Sequence, residues 1–205
     1  IKLRPEIVSL GLDSQNDIDP NQLTGKHLSP TEWHEAMQDE DVVILDGRNN
    51  YESAIGRFKG AICPDVDNFR DFPQWIRDNM ADLKDRKVLT YCTGGIRCEK
   101  LSGLLVREGF TNVSQLDGGI VNYGKHPETK GENFEGLCYV FDERVAVESN
   151  FTESRSVISR CSKCNEASPR YRNCAWPKCN DQFFLCEPCE DCLLYTSPSP
   201  RDIGE

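Results

Sequence analysis

The order of apolar runs predicts an α/β fold: a parallel sheet with helices on both faces, followed by a small cysteine-rich module. Three observations carry this expectation. Short apolar runs at 42–45 and 87–91 alternate with amphipathic stretches, the pattern of parallel strands joined by helical crossovers. Those runs are apolar almost throughout, as in strands buried on both faces. Seven of the eleven cysteines fall between Cys161 and Cys192, behind a region poor in them.

A chain of 205 residues holds one well-buried domain of about 100–150 residues and an appendage. The net charge of −10 argues against broad, non-specific binding to nucleic acid. No apolar run approaches the roughly 20 residues of a membrane-spanning helix, so no membrane partner is expected. The cysteines sit in CxxC pairs at one end, which reads as a metal site in a reducing, intracellular compartment (cytoplasm or organelle) rather than a disulfide scaffold. No nucleotide-cofactor motif is evident. The sequence begins at Ile1 without Met or a signal peptide, so a native N-terminus is expected to lie further upstream.

Residues 1–27 are irregular and are read as a lead-in segment, the end of a missing N-terminal domain. Ser29-Pro30-Thr31-Glu32 is a capping box with Pro at the first helical position. It opens a helix to about Asp39 with Trp33, Ala36 and Met37 on its apolar face. A strand over 42–45 ends at Asp46, and a short helix begins at Asn50. Gly60-Ala61-Ile62 reads as another strand, and 72–83 as a helix. The strand at 87–91 delivers Cys92. A helix over 97–108 closes at Gly109. A strand at 113–116 and a short helix from Gly118-Gly119 to Lys125 complete the domain, bounded at 28–130. Residues 131–155 are expected to connect it to a cysteine-rich module at 156–192. Residues 193–205 are Ser/Pro-rich and polar, and are expected to be a non-native or disordered tail.

Cys92-Thr93-Gly94-Gly95-Ile96-Arg97 lies between a buried strand and a helix, where ligands of open α/β sheets bind. Gly94 and Gly95 allow Thr93 to Ile96 to curl into a cradle of inward N–H groups. The helix dipole and Arg97 add positive potential. A cysteine held there is expected to be a thiolate, with a pKa lowered from about 8.5 into the range of roughly 3.5–7.5. It is then a nucleophile able to carry an anionic adduct such as a persulfide. A phosphatase loop also places Cys and Arg at such a turn, but needs five residues between them; here there are four. Asp46 is the candidate brace of the loop, with Cys92, Arg97 and Asp46 as the catalytic set. Arg48 and Glu52 are expected to pair with each other. Cys98 is a candidate resolving thiol, or a first-turn residue facing the core. His27, His34 and His126 occupy no metal or triad spacing.

Cys161-x2-Cys164 and Cys186-x2-Cys189, separated by 21 residues, have the spacing of a tetrahedral structural zinc site. Cys174, Cys179 and Cys192 are candidates for additional ligands. Between 155 and 180, Arg155, Arg160, Lys163, Arg170, Arg172 and Lys178 face a single acid, Glu166, with Tyr171 and Trp176 interleaved. That fits either contact with RNA or a solvated face balancing an acidic neighbour.

Asp46-Gly47-Arg48, Gly60-Ala61, the Cys92 loop and Leu116-Asp117-Gly118-Gly119 follow the order of rhodanese-like domains. Cys92 to Lys100 and Phe141 to Val147 are more specific. They resemble the rhodanese-fold tRNA uridine hydroxylase family, which forms 5-hydroxyuridine at the wobble position using oxygen. The resemblance covers about residues 1–190 and implies an enzyme of tRNA modification with O2 as co-substrate, tRNA as partner and Cys92 essential. That family has a further small α/β domain before the segment matching residues 1–10. Arg57-Phe58-Lys59 replaces the Gly-His-Ile usual in rhodaneses. Two other functions remain open: a sulfurtransferase passing a persulfide on Cys92 between a sulfur donor and acceptor, and a non-catalytic RNA or protein adaptor.

Overall fold

The computed structural model describes residues 6–13, 15–142, 144–173 and 182–196, and the chain divides into two compact units, 1–155 and 156–205. The first unit is built on four parallel strands in the order β1-β5-β4-β2. These are β1 (Lys26–Leu28), β2 (Val43–Asp46), β4 (Lys87–Tyr91) and β5 (Asn112–Leu116). Between them run α1 (Pro30–Ala36), α2 (Asn50–Ser53), β3 (Gly56–Phe58), α3 (Phe72–Asn79) and α4 (Ile96–Arg107), and α5 (Gly119–Lys125) follows β5.

Alternate side chains of each strand enter two separate cores. Val43, Leu45, Val88 and Val113 join Phe72 and Ile76 of α3 and Leu101, Leu104 and Leu105 of α4. Ile44, Leu89, Tyr91 and Leu116 join Trp33 of α1 and Ile120 and Tyr123 of α5. The expected parallel sheet with helices on both faces is therefore present. The capping box at Ser29 also forms: the Glu32 N–H donates to Ser29 Oγ at 3.3 Å, and the Ser29 N–H to Glu32 Oε2 at 2.9 Å.

Several segments differ from the sequence reading. The stretch before the first helix contributes to the core: Leu10 and Ile18 are buried, and β1 pairs in parallel with β5. This packing explains Gly103 inside α4, where a Cβ would lie 2.3 Å from the carbonyl oxygen of Leu23. The glycine costs about 1 kcal/mol of helix propensity, and the burial of Leu101, Leu104 and Leu105 offsets it at about 1.5–3 kcal/mol each.

The strand expected at Gly60-Ala61-Ile62 is a single bridge, Leu45 to Ile62, because Gly60 turns the chain at φ +76°. The strand lies earlier, as β3. The expected connector at 131–155 belongs to the first unit. It supplies β6 (Phe134–Tyr139) and β7 (Ala146–Glu148), which form the antiparallel sheet β3-β6-β7 and add Phe134 and Cys138 to the core.

The second unit contains the antiparallel pair β8 (Tyr171–Asn173) and β9 (Gln182–Phe184), then α6 (Glu187–Thr196). Residues 193–196, expected to begin a tail, continue this helix. Among the described residues no helix is long and apolar enough to cross a membrane.

Candidate active site

Cys92 follows β4 directly, and Gly95, at φ +87°, caps α4. The curl turns backbone N–H groups onto the sulfur: the Gly95 N–H donates to Cys92 Sγ at 3.1 Å. The Cys92 thiol is lowered to about 6. The neighbouring Cys98 thiol contributes most; burial opposes it; the charge of Arg97 and the N–H groups of Cys98 and Arg97 add to the lowering. Cys98 moves the other way, because burial and its bond to Cys92 hold its own proton in place. Cys92 is thus the thiolate and Cys98 the donor.

A second loop closes the cradle from outside. The N–H groups of Ile120 and Val121 donate to the carbonyls of Cys92 and Thr93 at 3.0 and 3.1 Å. Only glycine permits this approach at position 119, where a Cβ would come within 2.4 Å of the Cys92 carbonyl oxygen.

Arg97 is held by Glu52 rather than left free. Its Nη1 and Nη2 donate to the Glu52 carboxylate at 2.6 and 2.8 Å. Burial alone works against the guanidinium charge, but the Glu52 pair outweighs it and keeps Arg97 protonated. The expected Arg48–Glu52 pair therefore does not form. Arg48 instead pairs with Asp46, Nη2 to Oδ2 at 2.6 Å, both fully buried.

Asp46 was expected to brace the loop directly. Among the described residues its carboxylate accepts from Arg48 and from the Tyr91 hydroxyl, the latter at 2.7 Å. It ties β2 to the residue preceding Cys92, one layer behind the sulfur.

Cys92, Gly94, Ile96 and Arg97 line a cavity of about 430 Å³ with Ile7, Val8, Ser9 and Phe141. The last four come from segments that sequence reasoning did not assign to the site. Glu52 was likewise missed as the partner of Arg97. The one available signal was Phe141, an aromatic residue in a polar turn within the run that resembles the hydroxylase family.

In the second unit the sulfurs of Cys161, Cys164, Cys186 and Cys189 all lie within 4.8 Å of one another. A tetrahedron with metal–sulfur bonds of about 2.3 Å puts its sulfurs roughly 3.8 Å apart, so four soft thiolate donors are gathered where one ion would sit. The group can hold a metal ion. Cys174 and Cys179 lie outside the described residues, as do Trp176, Lys178 and the side chain of Cys192. The basic stretch is partly neutralised internally: Arg170 and Arg172 both pair with Glu190.

A cysteine in a strand-to-helix N–H cradle is the arrangement of a rhodanese-type site, and the family matches agree: residues 29–126 match the rhodanese-like domain and residues 135–198 the rhodanase C-terminal family. Within that class its relatives carry a more particular name. The chain is 53% identical over 187 residues to the tRNA uridine(34) hydroxylase of Shouchella clausii, covering 91% of this chain and 58% of that protein. It is 54% identical over 187 residues to that of Bacillus licheniformis, covering 91% and 57%. The chain therefore spans less than two thirds of the length of these curated relatives. Among solved structures, the rhodanese-like domain of the Alr3790 protein from Anabaena sp. aligns at 20% identity with a TM-score of 0.45, over 66% of this chain and 92% of that one.

Proposed function

We propose that the protein acts on tRNA, replacing the C5 hydrogen of the wobble uridine with hydroxyl, and that Cys92 is essential to the reaction. The observation that carries this is the similarity to proteins named tRNA uridine(34) hydroxylase, extending over 91% of the chain and through the whole Cys92 loop. Dioxygen is the oxidant of the proposal, with two electrons from an external reductant and water as the second product. Cys92, lowered to about 6, enters as a thiolate. Arg97 and the loop N–H groups hold its negative charge, and Asp46 with Arg48 supports the strand ends beneath. Zinc on Cys161, Cys164, Cys186 and Cys189 is proposed as a structural ion, supplying folding energy to a unit with little core. A reducing intracellular compartment suits both thiolate sites.

The test is mass spectrometry of tRNA nucleosides from cells that lack the full-length protein and are rescued with wild type or Cys92→Ala. Loss of 5-hydroxyuridine-type nucleosides, restored by wild type alone, is the expected result. Unchanged nucleosides would sink the proposal.

A second reading, sulfur transfer, is favoured by one feature: the N–H cradle around Cys92 Sγ is suited to a persulfide anion. A mass increase of one sulfur atom on Cys92 after thiosulfate, with turnover to an acceptor, would support it.

A further inference from the structure

Three large apolar side chains around the Cys92 cavity face water. Ile7 is 93% exposed, Phe141 69% and Ile96 55%, and all three line the cavity. Exposed apolar groups gathered at the mouth of a reactive site mark a binding surface.

Phe141 is also held in place. Its ring meets that of Tyr139 edge-on at 5.0 Å, and Tyr139 meets Tyr51 edge-on at 5.4 Å. The Arg97 guanidinium lies 5.9 Å from its centroid. The following turn is fixed by Asp142, which accepts from the backbone N–H and the guanidinium of Arg144. The ring is therefore held by Tyr139 and by the Arg97 guanidinium lying over it, while most of the residue remains exposed.

The charge of the lining points to the kind of ligand. Among the described residues that line the cavity Arg97 is the one cation, and it is committed to Glu52 through two hydrogen bonds. A small anion would meet a thiolate, apolar walls and a cation already paired. A flat, uncharged ring would meet an exposed aromatic face beside the sulfur. Nucleobases unstacked from single-stranded RNA are bound in this manner.

We infer that Phe141, with Ile96 at the start of α4, is the stacking platform that positions an unstacked pyrimidine base over Cys92. This rests on the proposed action on tRNA and adds the residue that holds the base. Phe141 is a positioning residue: Cys92 is what meets the reacting ring.

The test uses the full-length protein and an anticodon stem-loop RNA carrying 5-iodouridine at the wobble position. On irradiation, the expected cross-link maps to Phe141. Phe141→Ala is expected to lower kcat/KM for the unmodified RNA by about tenfold or more, the scale of one lost base–aromatic stack, chiefly through KM. Phe141→Trp should restore it and Phe141→Leu should not. The rate of Cys92 alkylation by iodoacetamide should stay at the wild-type level in all three, showing that fold and thiolate are intact. Cross-links elsewhere, with full kcat/KM in Phe141→Ala, would overturn the inference and leave the hydroxylation reading standing. A wild-type protein that binds the RNA and cross-links at Phe141 but forms no 5-hydroxyuridine would do the reverse. Binding of a peptide rather than the RNA at this mouth would also overturn it.

Discussion

Cys98 carries no charge of its own, yet it sets the charge of Cys92. Each thiol shifts the other in opposite directions, so the two titrate as a pair. Alkylation of Cys92 by iodoacetamide should fall as pH drops through about 6, because protonation removes the nucleophile. In Cys98→Ala the largest stabilising contact is gone, and the midpoint should move up toward the ordinary thiol value of about 8.5. An unmoved midpoint would assign the thiolate to Arg97 and the loop N–H groups alone. Asp46 belongs to a different category. Asp46→Ala leaves the fully buried Arg48 without its counter-ion, at a cost of about 3–5 kcal/mol in a urea titration, while the Cys92 midpoint of the folded protein should hold. The Cys92 loop was legible in the sequence because its parts are contiguous. The Arg97–Glu52 pair was not, since its members are 45 residues apart and Arg48, on the same short segment as Glu52, offered a nearer partner. Likewise, nothing local shows that Asp46 would spend its oxygens on Arg48 and Tyr91.

The elements that sequence reasoning placed well are those with their own signals. The capping box fixed the start of α1, and the apolar run at 87–91 coincides with β4. The β3-β6-β7 sheet was legible only in part: residues 137–147 look extended, but the strands are short and carry little alternation, and Gly56 and Gly136 face each other in its register. A Cβ on Gly56 would come within 2.1 Å of the Leu137 carbonyl oxygen, so this glycine marks close approach rather than a turn. The contact between α5 and the Cys92 loop can be tested with two substitutions. Gly119→Ala places a methyl against the Cys92 carbonyl in a residue with φ +63°. Strain of this kind costs about 1–3 kcal/mol, and opening the cradle should raise the Cys92 midpoint. Gly94→Ala, whose Cβ would meet nothing within 4 Å, should leave thermal stability near the wild-type value.

At the scale of the whole molecule, the two units are expected to depend on different forces. The first is held by two apolar cores on either side of one sheet. The second has few buried residues among those described and four clustered thiols. Removing zinc with a strong chelator should expose the second unit to protease while the Cys92 alkylation rate of the first stays constant. Cys164→Ser should lower the bound zinc measured by elemental analysis. Simultaneous loss of both units on chelation would contradict this division. The CxxC spacing made the cluster of four cysteines readable at a distance, and the expected start of the module at 156 coincides with the start of the second unit; the end of the first domain was placed too early, at 130, because 131–155 looks like a linker and packs like a domain.

One edge of the parallel sheet is closed by β1, only three residues long and drawn from the irregular stretch ahead of the first helix. A polypeptide trimmed to residues 29–155 would lose that strand together with Leu10 and Ile18. β5 would then present an unpaired row of backbone donors and acceptors, a template for strand addition by another copy. Such a fragment should self-associate or precipitate in gel filtration, and restoring residues 6–28 should cure it. The ragged leading stretch thus serves as a selvedge that keeps the sheet from unravelling into its neighbours.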